Sequence, residues 1–253
     1  MSHGPQSSLP PAPADWFRRA FSHDYVRIYR HRDQAEAERT ISALLALLPL
    51  TPGTRCLDLC CGFGRHLALL RGRGLDAWGV DLSGELLSVA VQQSSNARRL
   101  VQADMRALPF GQDFDLVLSF FSSFGYFADD HQNLLALKEL ARVLRPGGKF
   151  LMDFLNAPRV RRTLVPEDEQ TFPDFSLRQR RWIDQVNRSV EKELRLTDER
   201  GERVYRESVK LYELADFQRF FSAAGLRLTQ VLGEPGGQAY HDDAPRLILL
   251  GER

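Results

Sequence analysis

Two acidic residues and two glycines have the types and the spacing of a site for a nucleoside ligand. Asp58 lies at the end of a short apolar run, and Gly62 and Gly64 follow it in a glycine-rich turn. Because glycine lacks a Cβ, the backbone can bend sharply there and a ligand can lie against it. Asp81 stands 19 residues after Gly62, a spacing that places a carboxylate at the tip of the neighbouring strand, within reach of a ribose diol. The alternative role for Asp81 is to cap the helix that follows.

These residues must be positioned by strands and helices that alternate along the chain. Short apolar runs predict strands, and apolar residues at helical spacing predict the helices between them. The predicted strands lie at 56–59, 75–81, 100–102, 114–119, 149–154, 226–232 and 246–250, and the predicted helices at about 33–48, 83–93, 130–144 and 214–224. This alternation predicts an α/β fold with a parallel sheet and right-handed crossovers. Asp104, after the third strand, is a further carboxylate at the same edge.

Residues 157–213 carry a different, antiparallel pattern. Residues 189–196 and 203–211 alternate apolar and polar around a turn at 198–201, which is a hairpin signature, and residues 182–183 fall in a third strand. Acidic and basic residues nearly balance in this segment. Its arginines are therefore expected to form a solvated sheet face rather than a phosphate-binding track. The sequence predicts a small antiparallel β insertion in the α/β fold.

Length and composition indicate a single domain over 15–253, preceded by a polar, proline-rich tail at 1–14 that is expected to be disordered. The net charge of +1 argues against a broad nucleic-acid-binding surface. No apolar stretch approaches the roughly 18 residues that span a bilayer, and the tail lacks the layout of a signal peptide. Cys56, Cys60 and Cys61 are expected to be reduced thiols of a cytoplasmic protein, and no metal-binding spacing accompanies them.

In five ordered motifs the chain resembles the class I S-adenosylmethionine-dependent methyltransferases, and within them the small-molecule branch. The motifs are Leu-Asp-Leu-Cys-Cys-Gly-Phe-Gly at 57–64, Gly-Val-Asp-Leu-Ser at 79–83, Gln-Ala-Asp-Met at 102–105, Phe-Asp-Leu-Val at 114–117 and Arg-Val-Leu-Arg-Pro-Gly-Gly at 142–148. The resemblance implies a Rossmann-like, doubly wound, seven-stranded mixed sheet whose last strand is antiparallel. Cys60 departs from the family pattern, which often has glycine there. No Asn-Pro-Pro-Tyr or Asp-Pro-Pro-Tyr follows the fourth strand, which argues against methylation of DNA adenine.

The resemblance also implies S-adenosylmethionine as the cofactor and a role for each motif residue. Gly62 and Gly64 would let the cofactor approach the turn, and Asp58 would help to hold its amino-acid portion. Asp81 would accept hydrogen bonds from both ribose hydroxyls, and Asp104 would accept one from the adenine amine. Ser119 and Phe120 would lie beside the sulfonium. The other predicted cofactor contacts are Tyr25, Tyr29, Cys60, Leu82 and Met105.

The implied reaction is methyl transfer to a nitrogen or oxygen atom of a small-molecule acceptor by in-line displacement. Because the donor is already activated, the protein must chiefly align donor and acceptor and exclude water. No metal ion is expected. A general base is needed only if the acceptor arrives protonated. The candidates for that base are Tyr126, His131, Tyr240 and His241, each of which could instead be a packing or surface residue.

Three segments could shape the acceptor site. The aromatic loop at 120–127 could stack on a ring or a cationic amine, or could belong to the core. The aromatic and basic segment at 15–32 could act as a lid, or could pack a helix on the sheet. The insertion at 157–213 interrupts the parallel fold near its carboxyl edge, so we predict that it covers the acceptor. A dimerisation sheet or an inert decoration is the alternative for that insertion.

Two other function classes stay open at this stage. A nicotinamide-dependent oxidoreductase uses the same strand, turn and acidic tip, but its fingerprint needs a third small residue where this chain has Leu67. A non-catalytic, cofactor-binding regulatory protein would keep the fold without turnover. The expected partner is a small-molecule acceptor rather than nucleic acid or a membrane, and a homodimer is left open.

Overall fold

The structure is a computed structural model, and it describes residues 12–30, 34–48, 50–93 and 97–253. Most of the predicted tail, which was expected to run to residue 14, lies outside these ranges. No helix within them is long and apolar enough to cross a bilayer.

Strands and helices alternate in the order that the sequence predicts. The strands are β1 (Arg55–Leu59), β2 (Asp76–Asp81), β3 (Leu100–Gln102), β4 (Phe114–Ser119), β5 (Leu144–Leu155), β6 (Glu167–Thr171), β7 (Ser176–Asp184), β8 (Ser189–Asp198), β9 (Gly201–Lys210), β10 (Arg227–Leu232) and β11 (Arg246–Glu252). The helices are α1 (Phe17–Ala20), α2 (His23–Ile28), α3 (Gln34–Leu45), α4 (Arg65–Gly72), α5 (Gly84–Gln93), α6 (Asp130–Val143), α7 (Ala157–Thr163) and α8 (Leu214–Ala224).

Seven strands form one sheet, the main sheet, in the order β10-β11-β5-β4-β1-β2-β3. Parallel pairing joins β1 to β2 and to β4, β2 to β3, and β4 to β5. Strand β11 runs antiparallel to both of its neighbours, β5 and β10. The predicted doubly wound mixed sheet with an antiparallel last strand is therefore confirmed. The carboxyl ends of β1 to β4 lie along one edge, where the chain leaves each strand for the next helix or loop.

Large aromatic side chains fill the space between the main sheet and α8. Phe150 of β5 packs against Phe221 of α8 with ring centroids 4.8 Å apart. The ring centroids of Phe154 and Phe217 lie 5.0 Å apart, with the rings nearly perpendicular. All four rings are buried, and burying each such side chain stabilises the fold by about 1.5–3 kcal/mol. Gly251 of β11 makes this packing possible, because a Cβ there would come within 2.5 Å of the Phe150 ring.

Strands β6 to β9 form a separate antiparallel sheet, the insertion sheet. Its β8–β9 hairpin and its third strand, β7, confirm the antiparallel pattern read from the sequence. One face of this sheet buries Leu177, Leu194 and Leu196 against Ile28 and Tyr29 at the end of α2. The apolar face of the insertion sheet therefore packs against the end of α2 and fixes the position of this N-terminal helix.

Arginines of the insertion pair with carboxylates. Arg188 contacts Asp216 at 2.7 Å. Asp198, at the end of β8, accepts hydrogen bonds from Arg27 and Arg203, both at 2.8 Å. Arg203 lies only five residues from Asp198, whereas Arg27 and Asp198 are 171 residues apart and Arg188 and Asp216 are 28 residues apart.

One strand begins earlier than the sequence predicts and another strand was not predicted, each for a local reason. Strand β5 begins at Leu144 rather than at 149, because the Arg-Pro-Gly-Gly turn pairs irregularly with β4. Strand β6 was not predicted, since its residues are almost all polar and exposed and show no alternation. Helix α8 ends where predicted, at Gly225, which adopts a left-handed φ of +73°.

Candidate functional site

A cleft of about 680 Å³, partly open to solvent, lies at the carboxyl edge of the main sheet. The chain segments that follow β1, β2, β3 and β4 all contribute to it, together with α1 and α2. We call it the main cleft; its lining residues are Phe17, Phe21, Tyr25, Leu59, Cys60, Gly62, Val80, Asp81, Leu82, Leu86, Ala103, Asp104, Met105, Phe121, Ser123, Tyr126 and Phe127.

The glycine turn after β1 forms the floor of the main cleft in a left-handed backbone conformation. Gly62 has φ of +55° and Gly64 has φ of +83°, values that glycine adopts at little cost. A Cβ on Gly64 would approach the Cβ of Ala90 in α5 to 3.2 Å. Cys60 also has a positive φ, +63°, although it is not glycine. Burial raises the pKa of the Cys60 thiol well above its usual value, so the group in the cleft wall is neutral.

Asp81 is held in a fixed orientation by backbone donors. The Gly62 N–H donates to Oδ2 and the Ser83 N–H donates to Oδ1, each at 2.8 Å. Each carboxylate oxygen therefore keeps a further lone pair for a ligand. Burial raises the pKa of Asp81, while the hydrogen bonds from Ser83 and Gly62 act against that shift. The capping of α5 falls to Ser83, whose Oγ accepts from the Leu86 N–H at 3.1 Å, so Asp81 does not serve as that cap.

Asp104 reaches the main cleft with a partner that the sequence analysis did not include. Arg106 donates to Oδ2 of Asp104 at 2.6 Å and to Oδ1 at 3.0 Å. Partial burial acts to raise the pKa of Asp104, but the hydrogen bonds from Arg106 outweigh it and lower that pKa. The guanidinium also lies 4.2 Å from the ring centroid of Phe127, another residue of the cleft wall. Asp104 is thus ionised, and Arg106 fixes the orientation of its carboxylate group.

Aromatic residues from the N-terminal helices close the opposite side of the main cleft. Phe21 lies 5.2 Å from Tyr25 and 5.6 Å from Tyr126, measured between ring centroids. Trp16 packs against Tyr126 at 5.0 Å and is almost completely buried. The segment thus packs in the core and lines the cleft at once. Phe17, Phe21 and Tyr25 all line the cleft, although the chain bends between α1 and α2 at Phe21.

The loop after β4 passes through two left-handed residues in a row, Phe121 with φ of +54° and Ser122 with φ of +60°. Non-glycine residues rarely adopt this conformation unless the surroundings enforce it. Asp153 of β5 stabilises this conformation by two hydrogen bonds of 2.9 Å each. Its Oδ2 accepts from the Phe121 N–H, and its main-chain O accepts from the Ser122 N–H. Arg246 of β11 donates to Oδ1 of Asp153 at 2.6 Å and to Ser122 Oγ at 3.1 Å.

The structure brings eight of the predicted site residues into the wall of the main cleft. They are Tyr25, Cys60, Gly62, Asp81, Leu82, Asp104, Met105 and Tyr126. Five others lie outside it: Tyr29, Asp58, Gly64, Ser119 and Phe120. Their roles toward a cofactor stay predictions. Ser119 and Phe120 are buried at the end of β4, and Tyr29 donates to Glu207 Oε1 at 2.9 Å.

Asp58 is completely buried beneath the glycine turn. Burial and the neighbouring charge of Asp81 raise the pKa of Asp58 to about 8. Its Oδ2 atom has no hydrogen-bond partner among the described residues. The carboxyl group therefore has one oxygen without a hydrogen-bond partner close to the turn on which a ligand would lie.

The four candidates for a general base lie in different places. Tyr126 lines the main cleft, and burial raises its pKa well above the usual value, so its hydroxyl is neutral. His131 is exposed on α6, and His241 is exposed in the loop before β11. Tyr240 donates to Asn156 Oδ1 at 3.1 Å. Within the described ranges, no group of His, Cys, Asp and Glu residues is arranged to hold a metal ion.

Comparisons with known proteins identify the family. A model of a methyltransferase domain matches residues 56–148, the stretch that carries the glycine turn, Asp81 and Asp104. Over 234 residues the chain is 28% identical to a dTDP-3-amino-3,4,6-trideoxy-alpha-D-glucopyranose N,N-dimethyltransferase from Streptomyces venezuelae, covering 88% of this chain and 96% of that protein. These matches support a class I S-adenosylmethionine-dependent methyltransferase.

Solved structures share the fold of this methyltransferase. An S-adenosylmethionine-dependent methyltransferase from Clostridium acetobutylicum superposes with a TM-score of 0.77 at 19% identity, covering 92% of this chain and 98% of that one. A sugar N-methyltransferase from a Streptoalloteichus species superposes with a TM-score of 0.69 at 24% identity, covering 100% and 98%.

Family membership decides between the classes that the sequence left open. The cofactor of the methyltransferase is S-adenosylmethionine rather than a nicotinamide dinucleotide, and the chain is an enzyme rather than a regulatory protein. The main cleft fits this cofactor on its own geometry, since Gly62 leaves room against the turn and Asp81 presents two oriented oxygens. The Oδ2 atom of Asp58 adds a further unused acceptor nearby.

Proposed function

We propose that the methyltransferase transfers the methyl group of S-adenosylmethionine to a nitrogen or oxygen atom of a small-molecule acceptor. The observation that carries the proposal is a second cavity, of about 670 Å³, that shares Tyr126 and Phe127 with the main cleft. Its other residues come from the segment before α1, the loop after β4, and the insertion sheet. They are Ala12, Pro13, Ala14, Trp16, Gly125, Ala128, Asn187, Ser189, Glu191, Ser208 and Lys210.

The main cleft holds the cofactor in this proposal. Asp81 binds the ribose hydroxyls, the turn at Gly62 lies against the cofactor, and Asp104 binds the adenine. When bound, S-adenosylmethionine supplies an electrophilic methyl group that the acceptor attacks in line. The residues of this chain contribute by fixing the orientation of the two reactants and by excluding water. Trp16 and Tyr126, packed together between the two cavities, are the natural boundary between cofactor and acceptor.

The insertion sheet supports a small and polar acceptor. Its strands β8 and β9 contribute side chains to the second cavity, so the acceptor is covered on that side rather than open to a long polymer. The relatives include sugar N-methyltransferases, which favours a polar acceptor that carries an amino group. The hydroxyls and charged groups of the cavity wall suit such a molecule.

The test follows methyl-labelled S-adenosylmethionine into a panel of amino sugars, sugar nucleotides and a metabolite extract. The methyltransferase is compared with Ala128→Trp, which places a large ring at the exposed rim of the second cavity. Val186→Trp is the matched control, because Val186 is 91% exposed next to Asn187 but does not line the cavity. Cofactor affinity is measured by titration calorimetry for all three proteins.

We expect label in a small molecule with the natural enzyme and with Val186→Trp. Transfer should fall at least about tenfold with Ala128→Trp, while cofactor affinity stays the same, because filling an acceptor site affects only the second reactant. Label transferred only to protein or nucleic acid would sink the proposal. Full transfer by Ala128→Trp would remove the second cavity from it.

A further inference from the structure

Two buried glutamates stand two residues apart on β8, on the same face of the insertion sheet. Glu191 is 2% exposed and Glu193 is 1% exposed. Glu193 is neutralised by two arginines, Arg195 at 2.9 Å and Arg206 at 3.1 Å. Glu191, in contrast, has hydroxyl partners in place of arginines. The same strand thus offers one carboxylate with charge compensation and one without it.

The hydrogen bonds of Glu191 are concentrated on one of its oxygens. Ser189 Oγ donates to Oε1 at 2.6 Å, and Ser208 Oγ donates to the same atom at 2.5 Å. Among the described residues, the other oxygen, Oε2, has only a long contact of 3.5 Å with the Ala12 N–H. In the part of the chain that the structure describes, no lysine, arginine or histidine forms an ion pair with Glu191.

Glu191 also lines the second cavity, whereas Glu193 does not. One cation, Lys210, is found among the described residues that line this cavity, but its Nζ donates to the main-chain oxygen of Asn187 at 2.9 Å. A buried carboxylate that lacks a positive partner is costly, and a cationic ligand in the cavity would remove that cost. We infer that the second cavity is a subsite for a ligand that carries a protonated primary or secondary amine, with Glu191 as its carboxylate partner.

The walls of the cavity agree with a cation and disfavour an anion. Trp16, Tyr126 and Phe127 contribute aromatic rings, whose faces attract positive charge. Lys210 repels a cation from the Asn187 end and so directs it toward Glu191. An anionic group would meet the Glu191 carboxylate without an arginine to offset the repulsion. The inference rests on the proposed function in one respect, that the amine belongs to the methyl acceptor. In the transfer the ammonium proton passes to the Glu191 carboxylate, so that the neutral amine attacks the methyl group and S-adenosylhomocysteine leaves.

The experiment compares two probes of nearly the same size, cyclohexylammonium and cyclohexanol. Their binding is measured by ligand-detected NMR on the full chain, saturated with S-adenosylhomocysteine so that the main cleft is filled. We expect cyclohexylammonium to bind about tenfold more tightly than cyclohexanol, because a charge-assisted hydrogen bond to a buried carboxylate replaces a neutral one. Equal binding of the two probes, or no binding of cyclohexylammonium, would overturn the inference.

Two variants test whether Glu191 causes the preference for cyclohexylammonium over cyclohexanol. Glu191→Gln keeps the shape and the acceptor for the two serines but removes the charge, and it should reduce the preference to about twofold or less. Glu193→Gln is the matched control on the same strand and should leave the preference unchanged. A preference that survives in Glu191→Gln, or that is lost equally in both variants, would show that Glu191 is not the ligand.

A third pair of variants avoids any change in the buried strand. Ala128→Lys puts a positive charge at the exposed rim of the second cavity and should weaken cyclohexylammonium binding relative to Ala128→Gln. Equal binding by these two would count against the subsite even if Glu191→Gln did not fold. Labelled methyl transfer is scored separately: amine binding without any transfer would refute the proposed function and leave the subsite standing, and transfer without amine binding would do the reverse.

Discussion

The main sheet and the insertion sheet are stabilised in different ways, although both are sheets of one chain. The main sheet is covered on both faces by apolar side chains, and two carboxylates at the carboxyl ends of its strands, those of Asp81 and Asp104, line the main cleft. The insertion sheet has a small apolar face and relies on ion pairs, such as those of Asp198 with Arg27 and Arg203. The first arrangement follows from local sequence patterns, and the second depends on partners that are distant in the chain.

The second arrangement has a consequence for the main cleft. Arg27 and Tyr29, in and just after α2, bind the insertion sheet through Asp198 and Glu207. Tyr25 of the same helix lines the main cleft. The ion pairs of the insertion sheet therefore position one wall of the main cleft, and the two sheets are joined through α2.

The largest predicted effect concerns the apolar core of the main sheet. Phe150→Ala removes a ring that is completely buried against Phe221 and should lower the free energy of unfolding by about 3–5 kcal/mol. Val204→Ala, at a position of the insertion sheet that is 41% exposed, should change it by no more than about 0.5 kcal/mol. Urea unfolding followed by circular dichroism measures both. A loss below about 1 kcal/mol for Phe150→Ala would contradict the account of this core.

The next effect concerns the carboxyl edge of the main sheet. Asp81→Ala removes both oriented oxygens and should weaken S-adenosylmethionine binding by about 10–100-fold, because a hydrogen bond to a charged group is worth about 1.5–3 kcal/mol. Titration calorimetry measures the affinity, and the circular dichroism spectrum checks that the fold is kept. Asp76→Ala, at the opposite end of β2, is the control and should bind the cofactor normally. Unchanged affinity for Asp81→Ala would remove this residue from the site.

A smaller, pH-dependent effect belongs to the ion pairs that join α2 to the insertion sheet. Burial acts to raise the pKa of Asp24, but hydrogen bonds from Tyr205 and Arg203 outweigh it and lower that pKa. A lowered carboxyl pKa stabilises the folded state above the ordinary Asp pKa, about 3.9, and the contribution is lost as the pH falls through the lowered value. Asp24→Asn should therefore be less stable than the natural chain by about 1–2 kcal/mol at pH 7.

The pH series gives this prediction its control. Urea unfolding at pH 7, 5 and 3.5 should show the gap between Asp24→Asn and the natural chain narrowing only at the acid end. Asp174→Asn, whose half-exposed carboxylate also contacts Arg27, should open a smaller gap. A gap for Asp24→Asn that is constant down to pH 3.5 would mean that its charge contributes nothing to stability.

Features that depend on local sequence patterns were predictable, whereas contacts between residues that are distant in the chain were not. The alternation of strands and helices, the glycine turn and the positions of Asp81 and Asp104 were predictable, because each depends on residue spacing along a strand–turn–helix unit. The seven-stranded mixed sheet was predicted only from the family resemblance. The clamp between Asp153 and Arg246 was not, since those residues are 93 positions apart and neither stands in a recognisable motif. The isolated charge of Glu191 was hidden for a related reason: its alternation with Glu193 looked like an ordinary polar face. Only the partners on other strands show that one carboxylate is paired and the other is not.

The smallest predicted effect tests the backbone of the glycine turn itself. Cys60 has φ of +63°, a conformation that costs a non-glycine residue about 1–2 kcal/mol. At ordinary positions glycine is less stable than alanine by about 0.5–1 kcal/mol, so the difference between the two should reverse at position 60. We expect Cys60→Gly to be more stable than Cys60→Ala by about 0.5–1 kcal/mol. Using alanine as the reference removes the effect of losing the thiol from both sides of the comparison.

Ala68→Gly is the control for that comparison, because residue 68 has an ordinary helical backbone conformation. Ala68 is an exposed residue inside α4, one turn after the glycine turn, and its replacement by glycine should cost about 1 kcal/mol. The three variants are compared by urea unfolding under one set of conditions. If glycine proved less stable than alanine at both positions, the left-handed turn would not be strained at Cys60. A reversal at position 60 alone would show that the main sheet stores strain where its cofactor turn begins, and that the family's usual glycine relieves it.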